Sequence, residues 1–331
     1  MRLITTEEHV VHPEISQAGA AANKALSPHF GETYDPAHGF SASPTFEQLT
    51  DLGEGRLADM DAHGIDTQVV SVLGTQFLPA DSALELARAA NDRLGAAVAE
   101  HRGRFAAFAA VPTTAGGRVA ADELARAVGE HGAVGSMIYG RTGTAFLDTP
   151  ELDPVLATSA RLGVPIYVHP TPPPRGISDL SYAGLDPLVS ARFETAGWGW
   201  HLETGVHFLH MVLAGVFDRH PGLQVLLGHW GEMTPWFMER FDEMFPQQLT
   251  RLEKPVSEYF RSNLYITPSG MWSSAQLRYC LEMVGAERML FSVDYPFIPH
   301  DGARAFLEAA DLTDEDREKF AHGNAERLLG L

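Results

Sequence analysis

Short apolar, β-rich runs alternate with longer segments of helical period along most of the chain. Eight runs read as strands: 3–9 (LITTEEH), 67–74 (TQVVSVLG), 105–112 (FAAFAAVP), 133–140 (AVGSMIYG), 164–170 (VPIYVHP), 223–229 (LQVLLGH), 263–270 (NLYITPSG) and 289–297 (MLFSVDYPF). Their apolar, often β-branched or aromatic residues suit a buried pleated surface. Between them, residues 82–101, 120–132 and 151–163 repeat apolar positions at spacings of three and four, and the last two segments close on glycine. Strands alternating with helices predict an α/β fold, a TIM (β/α)8 barrel with extended loops on its C-terminal face. An open doubly wound sheet is disfavoured, because no Gly-x-Gly-x-x-Gly turn follows the first strand.

Two stretches break the alternation. Residues 11–50 are rich in Gly, Pro, Ser and Ala, and residues 170–200 carry a proline cluster and two tryptophans. Both follow strands, so both are expected as long loops on the face where barrels build their pockets. The expectation is one domain over 1–331 with a loop insertion at about 11–50.

The first strand holds two acids and a histidine. Alternation puts Thr5, Glu7 and His9 on one face and Ile4, Thr6, Glu8 and Val10 on the other. Glu7 and His9 then point together into the barrel, while Glu8 faces the helix layer or the rim. His9, His169, His229 and Asp294 all fall at C-terminal ends of predicted strands, which the barrel gathers into one mouth. Histidine and carboxylate donors without cysteine suit zinc, and also manganese or iron. His229 is followed three residues later by Glu232. On a helix starting there, this carboxylate would hold the imidazole in one tautomer and raise its basicity, which is acid–base machinery. Asp294, inside FSVDYPF, is costly to bury without a cation or several donors. Trp198 and Phe297 lie in segments that follow strands, positions suited to an aromatic cavity wall.

Composition narrows the partners. The 331 residues are 45% hydrophobic and 20% charged, an ordinary globular balance. A formal net charge of −19 repels nucleic acid and anionic membrane surfaces. An acidic substrate would therefore need a local positive centre. Cys280, the one cysteine, excludes an intrachain disulfide and a thiolate-rich metal site. No basic leader and no run of eighteen apolar residues is present, which reads as cytoplasmic.

The motifs EEH (7–9), GEGRLADMDAHGID (53–66), GVPIYVHPTPPP, WGWHLETGVH, GVFDRHPGLQVLLGHWGEMTPWFMERFD, YITPSGMWS, FSVDYPF and NAERLLGL run almost end to end. Together they resemble the metal-dependent decarboxylases of the amidohydrolase superfamily, the branch of aminocarboxymuconate semialdehyde, dihydroxybenzoate, resorcylate and carboxyvanillate decarboxylases. The resemblance implies a distorted TIM (β/α)8 barrel and one divalent ion, zinc first with manganese or magnesium as alternatives, on Glu7, His9, His169 and Asp294. It also implies a functional pair, His229 and Glu232. Glu7 in place of a His-x-His pattern points to a hydroxylated aromatic acid as substrate. Arg56, in GRLADMD, is expected to bind a substrate acid group at the mouth, and the assembly is expected to be a homodimer or homotetramer with His207 and the 203–218 segment at its interface. The chain departs from the family pattern at His210 and Ile298, and its 11–50 insert borders the pocket, which admits substrates outside the simple benzoates.

Loss of CO2 from an aryl acid needs the ring carbon protonated, which assigns Asp294 to deliver that proton and His229, tuned by Glu232, to hold the phenolic one. The alternative on the same scaffold is a metal-dependent hydrolase or hydratase of a lactone, amide or enone. Glu-x-His in the first strand and the absence of a lysine at a strand end favour decarboxylation.

Overall fold

The computed structural model describes residues 1–38 and 43–331. Seven strands form one sheet: β1 (Ile4–Val10), β2 (Thr67–Val72), β3 (Phe105–Ala110), β4 (Gly135–Tyr139), β5 (Ile166–His169), β6 (Val225–Leu227) and β7 (Leu264–Ile266). All neighbours are parallel and the spatial order is the chain order. Each crossover therefore advances the sheet by one strand, which curls it rather than reversing it as a doubly wound sheet does. Every strand residue is buried, as expected of parallel strands covered on both faces.

Two apolar layers follow. Ile4, Val69, Phe108, Met137, Tyr167 and Leu226 pack inside the curl. Leu3, Val10, Val70, Ile138, Val168 and Leu227 pack outward against helices, including the three expected from periodicity, Ala83–Glu100, Gly117–His131 and Asp153–Leu162. The last two end at Gly132 and Gly163, whose φ of +66° and +69° forms the left-handed cap that glycine adopts without strain.

Three expectations need correction. The eighth predicted strand, 289–297, is not a regular strand. Its start bonds to β7, with an isolated bridge Ile266–Met289 and Leu290 N–H donating to Ile266 O at 3.0 Å. It then crosses to β1, where Thr6 N–H donates to Phe291 O at 3.0 Å, Asp294 N–H to Glu7 O at 2.9 Å and His9 N–H to Tyr295 O at 2.7 Å. Asp294 has φ +71°, which bends the segment out of extended geometry. The Glu8 carboxylate takes over as acceptor, receiving the N–H groups of Val293 at 3.1 Å and Tyr295 at 2.9 Å.

Alternation in β1 also fails at one point. The register with β2 slips between Thr5 and Glu8, a bulge that reverses the phase. Ile4 thus joins Glu7 and His9 on the inner side, while Glu8 points outward yet stays fully buried.

Nor are the two irregular stretches simple loops. Pro13–Leu26 is a helix, and Arg175–Ser181 and Pro187–Glu194 are short helices. Alanine suits a helix whatever the overall composition of its neighbourhood. Residues 39–42 of the expected insertion lie outside the described residues.

Candidate active site

Register builds the site. His9 pairs with Ser71 across β1–β2, and Tyr139 with His169 across β4–β5. Paired residues of parallel strands share a face, so His9 Nδ1 meets Ser71 Oγ at 3.1 Å, and the Tyr139 and His169 rings lie 4.8 Å apart. The Tyr139 hydroxyl is 3.4 Å from His9 Nδ1. At the end of β5, His169 Nδ1–H donates to Pro170 O at 2.8 Å. In both rings Nδ1 faces a hydrogen-bonding oxygen, which leaves Nε2 as the lone-pair nitrogen.

Glu7 is fully buried. Its Oε2 accepts from the hydroxyls of Tyr167 and Ser269, and from Thr267 Oγ1 at 3.2 Å. Gly228 makes room for it, since a Cβ there would lie 2.8 Å from Glu7 Oε1.

The remaining atoms converge. His9 Nε2 lies 2.9 Å from Asp294 Oδ1, and His169 Nε2 lies 3.4 Å from Glu7 Oε1. Glu7 Oε1, His9 Nε2 and His169 Nε2 are buried without a hydrogen-bond partner. Ligand atoms of Glu7, His9, His169 and Asp294 all lie within 4.8 Å of one another. Lone-pair nitrogens facing carboxylate oxygens in a dry interior repel unless a cation stands between them. Two histidines and two carboxylates are a donor set that divalent ions accept. Burial and the neighbouring His9 push the His169 pKa down to about 3, so its lone pair stays available at neutral pH. Burial alone would raise Asp294, but the imidazoles of His229 and His9 that face it outweigh it and hold the carboxyl below the usual range.

Beside this cluster stands a second one. His229 Nδ1–H donates to Glu232 Oε1 at 2.8 Å, and His201 Nδ1–H donates to Glu232 Oε2 at 2.7 Å. The two imidazole rings are 4.5 Å apart. His229 Nε2 faces Asp294 Oδ2 at 3.8 Å. Burial disfavours a charged His229, yet the Glu232, Asp294 and Glu7 carboxylates together outweigh it and raise the imidazole well above its ordinary range. The expected helix after β6 is instead a left-handed turn, with positive φ at His229, Trp230, Gly231, Glu232 and Met233. Left-handed backbone costs about 1–2 kcal/mol for each non-glycine residue. Hydrogen bonds offset part of this, from Trp230 N–H to Thr267 O at 2.8 Å and from Trp230 Nε1–H to Met271 O at 2.8 Å. The turn still brings Glu232 under His229, as the three-residue spacing predicts.

Both clusters open into a cavity of about 640 Å³ whose lining includes His169, His229, Asp294, Trp198, Phe297 and Ile298. Trp198 and Phe297 stand where a cavity wall was expected. Arg56 does not. It is 1% exposed, with Nη2 donating to His9 O at 2.7 Å, Nη1 to Gln68 Oε1 at 3.2 Å and Nε to Asp51 O at 2.8 Å. It braces β1 from behind instead of reaching a ligand. His207 is also buried, its Nε2 accepting from Leu147 N–H at 3.0 Å, so it faces the interior rather than a subunit interface. Sequence reasoning missed His201, Tyr139 and Tyr167; Tyr139 ends a strand already identified, next to Gly140, and Tyr167 lies two residues before His169 in another.

The chain matches the family described as amidohydrolase over residues 38–331. It belongs to that family. Decarboxylase orsB of Emericella nidulans is 39% identical over 292 residues, 86% of this amidohydrolase and 87% of the relative. Gamma-resorcylate decarboxylase of a Rhizobium species is 34% identical over 327 residues, 93% of this chain and 98% of the relative. Among solved structures, the dihydroxybenzoic acid decarboxylase of Polaromonas sp. JS666, with bound manganese and the inhibitor 2-nitroresorcinol, superposes with a TM-score of 0.87 at 31% identity. The match covers 100% of this amidohydrolase and 97% of that structure. Membership of the decarboxylase branch agrees with the motifs.

Proposed function

We propose that this amidohydrolase is a metal-dependent nonoxidative decarboxylase, a carbon–carbon lyase, of a hydroxylated aromatic acid. The observation that carries it is the convergence of orphaned lone-pair atoms on Glu7, His9 and His169, with Asp294, at the floor of an aromatic-walled cavity. A relative named as a decarboxylase and another named as gamma-resorcylate decarboxylase support the reading. Glu7, His9, His169 and Asp294 would hold one divalent ion. The donor set suits zinc, and the manganese of the Polaromonas relative puts manganese beside it as the first ions to test. When bound, the ion supplies the positive charge that draws an acid group and a neighbouring phenolic oxygen into an otherwise acidic molecule.

The chain's own groups do the rest. No lysine or arginine is among the described lining residues, so no permanently charged side chain competes for the substrate carboxylate. His229, held as the Nδ1–H tautomer by Glu232, presents Nε2 to the cavity to hold the phenolic proton. Asp294, between His9 and His229 and ionised at rest, takes that phenolic proton from His229 and passes it to the carboxyl-bearing ring carbon. Cleavage of the C–C bond then returns its electron pair to the ring, releases CO2 and restores aromaticity. Trp198 and Phe297 would flank the ring.

The same reading takes residues 1–331 as one (β/α)8-type domain whose eighth position is the irregular segment 289–295. It also takes the protein as cytoplasmic, supported by its single thiol, and as a homodimer or homotetramer. Exposed Trp236, Phe237 and Leu249, at 67%, 50% and 68%, support a contact between copies. The test of function is CO2 release from ortho-hydroxybenzoates by protein loaded with manganese or zinc. Release from at least one of them is expected. Turnover of a lactone or enone with no CO2 from any acid would replace the reading with a hydrolase or hydratase.

A further inference from the structure

A single-ring acid seated on the Glu7, His9, His169 and Asp294 cluster leaves most of the cavity empty. Its volume of about 640 Å³ is in the range that takes drug-sized ligands. From the cluster an unbroken row of rings leads away. His9 and Phe297 have centroids 5.9 Å apart, Phe297 and Tyr34 5.7 Å, Tyr34 and Phe30 5.2 Å, and Phe30 and Trp200 6.0 Å. Opposed or adjoining surfaces come from Ile15, Phe77, Met271 and Ile298. Ile15 belongs to the helix Pro13–Leu26, the element that composition alone had presented as a loop. Gly19 of that helix lies so close to the Phe77 turn that a Cβ there would sit 2.9 Å from Phe77 Cβ, so the helix is packed down as part of the wall.

Charge and polarity are equally specific. The described lining residues include no lysine or arginine, so away from His229 and the ion cluster a second acid group on the ligand would find no counter-charge. Gln76 lines the cavity and its Nε2–H donates to Thr171 Oγ1 at 3.2 Å, while its Oε1 is buried without a partner. A hydroxyl of the ligand would satisfy that acceptor.

We propose that the natural acid carries a neutral apolar extension, an alkyl chain or a second ring, which lies along the Phe297, Tyr34, Phe30 and Trp200 row. The proposal rests on the decarboxylase reading and narrows its substrate class. Burying a methylene on such a wall raises kcat/KM by roughly threefold to fourfold when burial is complete.

The experiment uses the full chain loaded with manganese and a series of 2,4-dihydroxybenzoates bearing hydrogen, methyl, propyl or pentyl at ring position 6. The expected result is a kcat/KM at least about tenfold higher for pentyl than for methyl, with Phe30→Ala and Trp200→Ala each cutting that ratio severalfold. Binding of 5-alkylresorcinols to the wild-type protein, followed by calorimetry, should tighten in parallel and needs neither variant nor turnover. Single-ring acids turned over with kcat/KM flat or falling along the series would overturn the extension while leaving the decarboxylase intact. CO2 from no acid would overturn the decarboxylase reading, and the resorcinol series would still decide the extension: affinity that does not grow with chain length rules it out.

Discussion

Among the described residues three groups of histidines and carboxylates lie within 4.8 Å ligand spacing, the His201, His229 and Glu232 triad and two others whose contrast shows what an ion site needs. In the first, Glu7, His9, His169 and Asp294, three buried donor atoms have no hydrogen-bond partner. In the second, Asp59, His63 and His300, the protein has already answered each demand. His300 Nδ1–H donates to Asp59 Oδ2 at 2.7 Å and its Nε2 accepts from Gln68 Nε2 at 2.8 Å. Its ring stacks on Tyr295 at 4.1 Å, and the Arg56 guanidinium lies 4.8 Å from the other ring partner's centroid, that of Tyr295. His63 Nδ1–H donates to Asp59 O at 2.9 Å. Residue types are shared by the two groups; spare lone pairs are not. The second group is a brace that ties the 295–300 segment to the helix Glu54–His63 and, through Gln68 and Arg56, to the carbonyl of His9.

The contrast breaks first if ligands are interchangeable between the groups. His169→Ala should lose the bound ion and at least about 1,000-fold in kcat, whereas His300→Gln should keep one ion per chain by elemental analysis. An ion lost from both variants equally would erase the distinction. Glu232→Gln comes next, with a fall of about 100-fold to 10,000-fold in kcat at unchanged metal content, because His229 loses the acceptor that fixes its tautomer. Loss of metal instead would make the His229–Glu232 pair part of the ion site. For the brace, His300→Gln should cost about 1–3 kcal/mol in chemical denaturation by stranding Asp59 and Gln68. A cost near zero would show that the network braces nothing.

The smallest effect is a pH dependence away from both groups. Burial pushes the His207 pKa down to about 3, below an unfolded value near 6.5. The folded state then keeps this imidazole neutral while the unfolded chain takes up a proton, so its contribution is whole above pH 6.5 and declines as pH falls toward 3. Between pH 6.5 and 5 the wild type should lose about 2 kcal/mol through this group, a loss absent from His207→Gln. Parallel denaturation curves for the two proteins at both pH values would contradict it.

What could be read in the sequence divides along physical lines. β2 to β7 announce themselves because continuous apolar runs bounded by glycine or proline have few other uses, and His9, His169 and His229 could be placed from strand ends alone. The segment 289–297 reads as a strand by the same rule, yet Asp294 turns left-handed and Glu8, not a neighbouring carbonyl, receives its flanking N–H groups. The bulge near Thr6 is equally silent, since a register slip leaves no trace in residue type. His201 was out of reach for another reason. Its partner Glu232 is 31 positions away, and only the left-handed turn at 229–233 brings the two together. Arg56 misled because an arginine in a helix reads as exposed, whereas here three backbone carbonyls and Gln68 absorb its donors.

The most direct measurement strips the protein of metal with a chelator and titrates manganese or zinc back, following bound ion and CO2 release from 2,4-dihydroxybenzoate and its 6-alkyl relatives together. The account predicts no activity when stripped, one ion per chain at saturation, and activity rising in proportion to the ion bound, all abolished in a His9→Ala, His169→Ala double variant. Full activity in the stripped protein, or an ion bound as tightly by the double variant, would contradict it.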